Sequence, residues 1–302
     1  MANTASPSDR SDEQPWTVLR LLEWTTGYFK TKGSDSPRLD AEVLLAHARD
    51  CPRINLYAAF NEVPPEEQLA AFREMVRRRG GGAPVAQLVG YREFYSLRFR
   101  VDSNTLVPRP ETEHLVTEAI DFSKKVEVSD RPKTIADIGT GSGVIAVTLA
   151  KQMDDVVVHA TDISEPAIDI ARWNAEQMEV ADRVHFHLGD LLSPIDPANR
   201  FDLICSNPPY VSASEYAELD ATVRDHEPES ALLAGDTGTE VIQRLLDDAP
   251  ERLTSGGGLM IELSPMIAET CVELANQSGH YTDVRLVKDL AGHHRVLVAR
   301  TR

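Results

Sequence analysis

Hydrophobic residues recur at helical spacing in the first quarter of the chain. Leu19 and Leu22 share one face of a helix, and a second amphipathic run begins at Asp40. A third run opens with two prolines and two acids at residues 64–67, which are favoured residue types in a first helical turn, and three glycines end it. We therefore predict a helical bundle over residues 15–85.

The segments that flank this bundle have different patterns. Aromatic and apolar residues alternate with polar ones over residues 86–108, and this alternation predicts a β-hairpin connector. Two prolines then indicate the start of a helix that runs to Ile120, with Pro110 in its first turn. Residues 1–14 are polar and lack the apolar core of a signal peptide, so we expect a disordered tail there.

Short apolar runs alternate with helical runs from Lys133 onward. The apolar runs predict strands at residues 134–138, 156–161, 184–188, 201–206, 258–263, 284–287 and 295–299. Amphipathic stretches between them predict helices at residues 144–153, 166–178, 240–253 and 265–277. Strands separated by helices indicate a parallel sheet covered on both faces, so residues 109–302 are predicted to form one α/β domain.

The composition restricts the compartment and the substrate. The 302 residues are 42% hydrophobic, yet no run approaches the roughly 20 apolar residues of a membrane span. Cys51, Cys205 and Cys271 stand far apart, which argues against disulfides and zinc and favours a reducing cytoplasm. The formal net charge of −17 disfavours a nucleic-acid substrate, because phosphate binding normally requires a basic surface.

A glycine-rich loop separates the first predicted strand from the helix that follows it. Glycines let the backbone turn tightly and approach a ligand without an intervening Cβ atom. We assign cofactor binding to the five residues of this glycine loop, which are Gly139, Thr140, Gly141, Ser142 and Gly143.

Acidic residues follow the next two strands. Asp162 ends the second strand, where its carboxylate can accept hydrogen bonds from both hydroxyls of a ribose, and Asp190 follows the third strand beside the expected adenine slot. A dinucleotide fingerprint also fits Gly141, Gly143 and Ala146, so the loop alone leaves an NAD enzyme open. The position of the strand end favours S-adenosylmethionine, which has no pyrophosphate to place at a helix N-terminus.

An Asn-Pro-Pro-Tyr sequence follows the fourth predicted strand, at the edge where open α/β sheets bind ligands. An amide nitrogen is a poor nucleophile, so an enzyme must hold both of its hydrogens and align it with a methyl donor. The Asn207 side-chain oxygen and the Pro208 carbonyl offer two acceptors, and Pro208 and Pro209 fix the backbone. Tyr210 can stack on the planar group. We assign catalysis to these four residues, which equally suit the exocyclic amine of a nucleic-acid base.

Four stretches of the chain resemble the release factor glutamine methyltransferase family. They are residues 82–95 (GAPVAQLVGYREFY), 106–113 (LVPRPETE), 206–210 (SNPPY) and 289–292 (DLAG). The resemblance implies a class I S-adenosylmethionine-dependent methyltransferase fold, Rossmann-like with a seven-stranded sheet, and a small N-terminal helical domain that recognises the substrate protein. It also implies methylation of the side-chain N5 of the glutamine in the Gly-Gly-Gln motif of class-1 peptide chain release factors.

The same resemblance implies roles for individual residues. The glycine loop and Asp162 would hold S-adenosylmethionine, and Leu191 would flank the adenine. Asn207 would serve both cofactor and substrate, while the Asn-Pro-Pro-Tyr residues as a group would grip the glutamine amide. Arg109 and Glu111 would line the mouth of the pocket. We expect a cytoplasmic monomer.

Two stretches depart from the family pattern. Family members commonly have Gly and Gln after the acid of the fifth strand, whereas Leu-Ser-Pro follows Glu262 here, and residues 225–228 lack the aromatic that often precedes Glu-Pro. His293 and His294 fit an exposed turn, and we expect no metal site. Two alternatives stay open, namely a methyltransferase for a nucleic-acid base, and an NAD-dependent oxidoreductase or non-catalytic nucleotide-binding module.

Overall fold

Helices form the first of two units into which the chain divides, and the boundary lies between Val89 and Gly90. The structure is a computed structural model that describes residues 15–126, 128 and 130–302. The tail expected at residues 1–14 therefore lies outside the described residues. The helices of this unit are α1 (Val18–Thr31), α2 (Pro37–Ala48), α3 (Arg53–Ala58), α4 (Glu66–Gly80) and α5 (Val85–Val89).

Buried apolar faces hold the helical unit together. The side chain of Thr17 caps α1 by accepting a hydrogen bond from the Arg20 amide, and the helix buries Leu22 and Phe29. Helix α2 packs between α1 and α4. The helical packing extends beyond residue 85, where the sequence placed its end, because Val89 on α5 is buried and α5 contacts α2.

A β-hairpin opens the second unit and belongs to its core. Strands β1 (Tyr91–Phe94) and β2 (Leu97–Arg100) pair antiparallel, and Phe94 and Phe99 pack against helix α6 (Thr112–Lys125) in one cluster. Helix α6 begins later than the sequence predicted, because Arg109 precedes a proline, and that position disfavours helical backbone angles. A turn therefore occupies residues 110 and 111.

A seven-stranded sheet forms the centre of the second unit, as predicted. The first half of this unit contains β3 (Lys133–Ile138), α7 (Val144–Gln152), β4 (Val156–Asp162), α8 (Glu165–Gln177), β5 (Val184–Leu188) and β6 (Phe201–Ser206). The second half contains α11 (Glu240–Arg252), β9 (Leu253–Glu262), α12 (Ala268–Ser278), β10 (Arg285–Lys288) and β11 (His294–Arg300). The strand order in the sheet is β10-β11-β9-β6-β3-β4-β5.

One strand runs against the predicted parallel direction. Strand β11 pairs antiparallel with both β9 and β10. The reason is the short connection between β10 and β11, residues 289–293, since a parallel crossover needs a dozen or more residues. Helices cover both faces of the sheet: one core cluster contains residues of α6 and α7, and the other contains residues of α11 and α12.

A short irregular region follows β6 and was not anticipated as regular structure. It contains β7 (Val211–Ser212), α9 (Ala213–Glu218), α10 (Ala221–Arg224) and β8 (Leu233–Gly235). Strands β7 and β8 pair with each other outside the main sheet. Among the described residues, none of the helices combines the length and the apolar character needed to cross a membrane.

The strand order places a crevice at the end of β3. The chain runs from β3 outward to β4 and β5, and then returns to β6 on the opposite side of β3. Ligands of open α/β sheets bind where the order reverses in this way, outside the carboxyl ends of the strands. The glycine loop follows β3 and the Asn-Pro-Pro-Tyr residues follow β6, so both motifs lie at this position.

Candidate active site

A cavity of about 360 Å³ opens at the C-terminal ends of the central strands. Small-molecule sites typically have volumes of roughly 300–1,000 Å³. Most residues assigned from the sequence line this cavity, namely Arg109, Gly139, Thr140, Gly141, Ser142, Asp162, Asp190, Leu191, Asn207 and Pro209. The remaining four, Glu111, Gly143, Pro208 and Tyr210, lie outside its lining. Residues 104–109 and 228–233 contribute further wall positions.

Positive backbone angles shape the glycine loop. Gly139, Gly141 and Gly143 have φ values of 73°, 55° and 83°, a conformation that residues with a Cβ atom rarely adopt. A Cβ atom on Gly141 would meet no atom within 4 Å, so this glycine leaves open space at the cavity. A Cβ atom on Gly143 would lie 3.0 Å from the Cβ of Ala171, so this glycine instead permits α7 and α8 to pack closely.

Two acids hold the glycine loop in place through hydrogen bonds. Asp137 is fully buried and accepts hydrogen bonds from the Thr140 hydroxyl at 2.6 Å and the Ala146 amide at 3.1 Å. Burial raises the pKa of the Asp137 carboxyl to about 7, against the lowering effect of these two hydrogen bonds. Asp162 accepts from the Gly141 amide at 2.8 Å and the Ser164 amide at 2.9 Å. Burial also raises the pKa of Asp162.

A buried asparagine on α8 connects the glycine loop to the hairpin. The Asn174 side-chain nitrogen donates to the Ser142 carbonyl at 2.8 Å and to the Arg100 carbonyl at 3.1 Å. Its side-chain oxygen accepts from the Arg100 amide at 2.8 Å. Asn174 was missed by sequence reasoning, because nothing in its helical context distinguishes it from an exposed asparagine.

The adenine end of the predicted pocket carries an ion pair. Asp190 pairs with Arg244 of α11, and both side chains are about half exposed. Leu191 follows with a φ of 47°, which is uncommon for a residue other than glycine. Arg244 lines the cavity together with Asp190 and Leu191, and it is a second residue that the sequence reasoning missed.

Asn207 directly follows strand β6 and lines the cavity. The Ser206 hydroxyl donates to the Ile138 carbonyl at 2.7 Å, which fixes the end of β6 beside the end of β3. The Asn207 side-chain nitrogen donates to the Thr112 hydroxyl at 3.3 Å. Tyr210 is turned toward the core cluster of α11 and α12, and burial raises the pKa of its hydroxyl to about 12.

At the cavity, an ion pair joins two segments that are far apart in the sequence. Arg109 contacts both carboxylate oxygens of Glu227, at 2.8 and 2.9 Å. Glu227 is buried, and this burial raises the pKa of its carboxyl while the neighbouring guanidinium opposes the rise. Arg109 thus lies at the cavity, as expected, with its guanidinium bound to a protein carboxylate. Glu227 was not identified as this partner from the sequence, where residues 225–228 were noted only as a departure from the family pattern.

A second buried acid lies behind Asn207. Glu262 ends β9 with 2% of its surface exposed. Burial raises the pKa of Glu262 to about 7, and the negative charge of the Glu111 carboxylate adds to this rise. Among the described residues, no hydrogen-bond partner contacts the Glu262 Oε2 atom.

The donor and acceptor groups of the cavity fit S-adenosylmethionine. Gly139 and Gly141 give a ligand access to the backbone, because the space where their Cβ atoms would lie is nearly open. Asp162 offers carboxylate lone pairs to ribose hydroxyls from a side chain that two backbone amides already orient. The apolar side chain of Leu191 faces the same cavity and suits one face of an adenine.

Two family models match the chain. The "PrmC N-terminal domain" model matches residues 20–90, and the "Methyltransferase small domain" model matches residues 119–224. Among solved structures, the hMettl16 catalytic domain in complex with the MAT2A 3'UTR hairpin 6 aligns with a TM-score of 0.55. That alignment has 16% identity and covers 71% of this chain and 79% of the other, so it shows the fold alone. The class is therefore an S-adenosylmethionine-dependent methyltransferase, as the sequence predicted.

Full-length relatives refine this class. A release factor glutamine methyltransferase of Rhodopirellula baltica is 61% identical over 291 residues, covering 96% of this chain and 98% of the relative. Another of Koribacter versatilis is 37% identical over 284 residues, covering 94% and 98%. The chain belongs to the release factor glutamine methyltransferase family.

Proposed function

We propose that this protein transfers a methyl group from S-adenosylmethionine to the side-chain N5 of the glutamine in the Gly-Gly-Gln motif of class-1 peptide chain release factors. The observation that carries the proposal is the position of Asn207. It lies at the end of β6, inside the cavity, between the glycine loop and Thr112. The family relationship supports the release factor as the substrate.

The chemistry assigned to these residues is alignment of an amide nitrogen. When bound, S-adenosylmethionine supplies a methyl group that its positively charged sulfur has already activated. The Asn207 side-chain oxygen and the Pro208 carbonyl accept hydrogen bonds from the two N–H groups of the substrate amide, which positions the nitrogen for transfer. As the nitrogen gains the methyl group it loses one of these two protons, which passes to solvent. Pro208 and Pro209 restrict the backbone, so the acceptors are arranged before the substrate arrives. Tyr210, which the sequence assigned to stack on the planar amide, packs against the core cluster of α11 and α12 and supports this segment from there.

The remaining assignments concern binding. The glycine loop, Asp162, Asp190 and Leu191 hold the cofactor, and Asn207 contacts both cofactor and substrate. Arg109 shapes the substrate side of the cavity through its ion pair with Glu227. The helical unit recognises the release factor, and the protein acts as a cytoplasmic monomer on a protein and not on nucleic acid.

Mass spectrometry tests this function directly. Purified release factor is incubated with the enzyme and S-adenosylmethionine, and a methyl group is expected on the glutamine of its Gly-Gly-Gln motif. The variant Asn207→Ala should lose at least about 100-fold in rate, since a preorganised polar group at a reacting centre commonly contributes that much. The matched control Asn276→Ala changes an exposed asparagine of α12 and should keep the wild-type rate.

Three outcomes would contradict the proposal. Methylation of DNA or RNA in place of release factor would favour the nucleic-acid alternative. Binding of NAD but not S-adenosylmethionine in a calorimetric titration would favour the oxidoreductase alternative. Wild-type turnover by Asn207→Ala would show that the Asn207 side chain is not needed to align the substrate amide.

A further inference from the structure

Two strongly exposed apolar side chains lie outside the cavity. Leu290 and Met266 are 97% and 77% exposed, the highest values among the large hydrophobic residues in the part of the chain that the structure describes. Leu290 belongs to the Asp-Leu-Ala-Gly stretch at residues 289–292, and Met266 follows the Leu-Ser-Pro stretch that departs from the family pattern. A single exposed apolar residue is common on protein surfaces, so their significance depends on where the fold places them.

The sheet places both residues at the edge where the cavity opens. Asn207 directly follows β6, and β9 pairs parallel with β6. Strand β10 runs in the same direction as β9, because both pair antiparallel with β11 between them. Met266 lies four residues past the end of β9, and Leu290 lies two residues past the end of β10. Both loops therefore extend beyond the carboxyl edge of the sheet, beside the end of β6.

The distance from Asn207 to these loops fits one protein contact. In the sheet, β9 is next to β6, and β10 is the third strand from β6. Neighbouring strands lie about 4.8 Å apart, so the ends of β9 and β10 lie roughly 5 and 14 Å from Asn207 across the sheet. A standard protein interface covers about 800 Å² on each partner, which is a disc of roughly 16 Å radius. A protein that inserts a glutamine beside Asn207 would therefore also cover both loops.

Hydrogen bonds hold the turn that carries Leu290. The Asp289 side chain is 7% exposed, and its carboxylate accepts from the His293 amide at 2.9 Å and from the Arg295 Nε atom at 3.0 Å. The Asp289 amide donates to the His293 carbonyl at 2.8 Å, and Gly292 has a φ of 86° that lets the chain turn back. A side chain on such an ordered turn loses little conformational freedom on binding, so more of its burial contributes to affinity.

The loop that carries Met266 is also held by local hydrogen bonds. The Ser264 hydroxyl accepts from the Met266 amide at 3.3 Å, and the Ser264 carbonyl accepts from the Ile267 amide at 3.2 Å. An unbranched, polarisable methionine adapts to irregular apolar surfaces. Polar residues border the apolar pair, since Lys288 and His293 are exposed near Leu290 in the sequence. An apolar centre with a polar rim is the usual composition of a protein interface.

We propose that Leu290 and Met266 form a docking surface for the part of the release factor that surrounds its Gly-Gly-Gln motif, where they contact apolar side chains beside the substrate glutamine. The inference rests on the proposed function, because that function requires a protein to cover the edge at Asn207. The surface acts in addition to the helical unit. It holds the substrate without contacting the reacting atoms, so it contributes to KM and leaves kcat unchanged.

Steady-state kinetics with purified release factor test the docking surface. Leu290→Asp should raise KM for the release factor about 10- to 30-fold and change kcat less than about twofold. Met266→Ala should raise KM about threefold. The affinity of Leu290→Asp for S-adenosylmethionine and its unfolding midpoint should equal those of the wild type, because Leu290 lies outside the cavity lining and is almost fully exposed. The matched control Gln277→Glu adds the same charge at an exposed position near the end of α12 and should keep the wild-type KM.

A cross-link identifies what covers the surface. A photo-reactive phenylalanine analogue at position 290 should form a cross-link to the release factor near its Gly-Gly-Gln motif, mapped by mass spectrometry, whereas the same analogue at position 277 should form none. Sedimentation measures whether a second copy of this chain binds there instead. A wild-type dimer that Leu290→Asp dissociates would overturn the inference, and so would an unchanged KM or a lower kcat with an unchanged KM.

The two proposals fail in different ways. A wild type that methylates no release factor would contradict the proposed function, and the cross-link would still report whether the release factor binds at Leu290 and Met266. An active wild type with the same KM as Leu290→Asp would contradict the docking surface alone.

Discussion

Replacement of Asn174 by alanine is expected to weaken both the fold and cofactor binding. The side chain is fully buried and makes three hydrogen bonds, one to the Ser142 carbonyl and two to the backbone of Arg100. Each neutral hydrogen bond contributes about 1 kcal/mol, and each buried partner left without one costs about 1–3 kcal/mol. Alanine regains about 0.5 kcal/mol through its higher helix propensity. The net loss of stability should be about 3–4 kcal/mol.

Urea denaturation and calorimetry measure the two effects separately. The unfolding midpoint should decrease while the dependence on urea stays constant, as expected for a change in the native state alone. The affinity for S-adenosylmethionine, measured below the unfolding transition, should decrease about tenfold, or 1.4 kcal/mol, because the Ser142 carbonyl loses its anchor.

Two further variants make this reasoning refutable. Asn174→Asp keeps the oxygen that accepts from the Arg100 amide and removes both donors, so it should also release the glycine loop. Asn276→Ala replaces an exposed asparagine and should change stability by less than about 0.5 kcal/mol. A loss below 1 kcal/mol in Asn174→Ala with unchanged cofactor affinity would show that the three hydrogen bonds do not hold the loop.

Two other predictions concern packing and pH. Gly143→Ala should lower the free energy of unfolding by about 2–3 kcal/mol in chemical denaturation, because it combines backbone strain with a 3.0 Å contact to Ala171. The control Gly279→Ala has similar strain and no neighbour within 4 Å, so it should lower the free energy of unfolding by only about 1 kcal/mol. Equal losses in the two variants would exclude the packing effect. Burial beside His187 lowers the pKa of His159 to about 4, so the folded state resists its protonation and stability is lost as the pH falls from 6.5 through 4. After allowance for its partial exposure, the wild type should lose about 1–2 kcal/mol relative to His159→Gln between pH 7 and pH 4. A constant difference between the two proteins would contradict this assignment.

The strands could be predicted from the sequence because burial on both sides leaves a clear local pattern. Phe201–Ser206 is apolar apart from Asp202 and the final Ser206, and its predicted bounds match the structure. The segment after β6 carries no such pattern, since its strands are two and three residues long. Their pairing depends on contacts across about twenty residues and leaves no periodicity to detect.

The lining of the cavity could be predicted where its residues form continuous motifs or directly follow predicted strands, as Asp162 and Asp190 do. The glycine loop and the Asn-Pro-Pro-Tyr residues are continuous motifs, and their place at the cavity follows from the strand ends. Thr112 contacts Asn207 across 95 positions of sequence, and Asn174 contacts Arg100 across 74. Their significance comes from the fold, which brings together side chains that have no local signature. The catalytic and binding roles of the assigned residues stay predictions until the variants are measured.

The ion pair between Arg109 and Glu227 has a consequence for how the protein opens. It joins positions 118 residues apart, and strands β3 to β6 lie between them in the sequence. The short elements around Glu227 contact one another and α11, and β7 and β8 form a sheet separate from the main one. Release of this segment should therefore cost much less free energy than unfolding the main sheet. Amide hydrogens of residues 225–235 should therefore exchange through local opening, while those of β3 and β6 exchange only with global unfolding. A substrate as large as another protein could then reach the cavity through motion of this one segment, with the catalytic sheet intact.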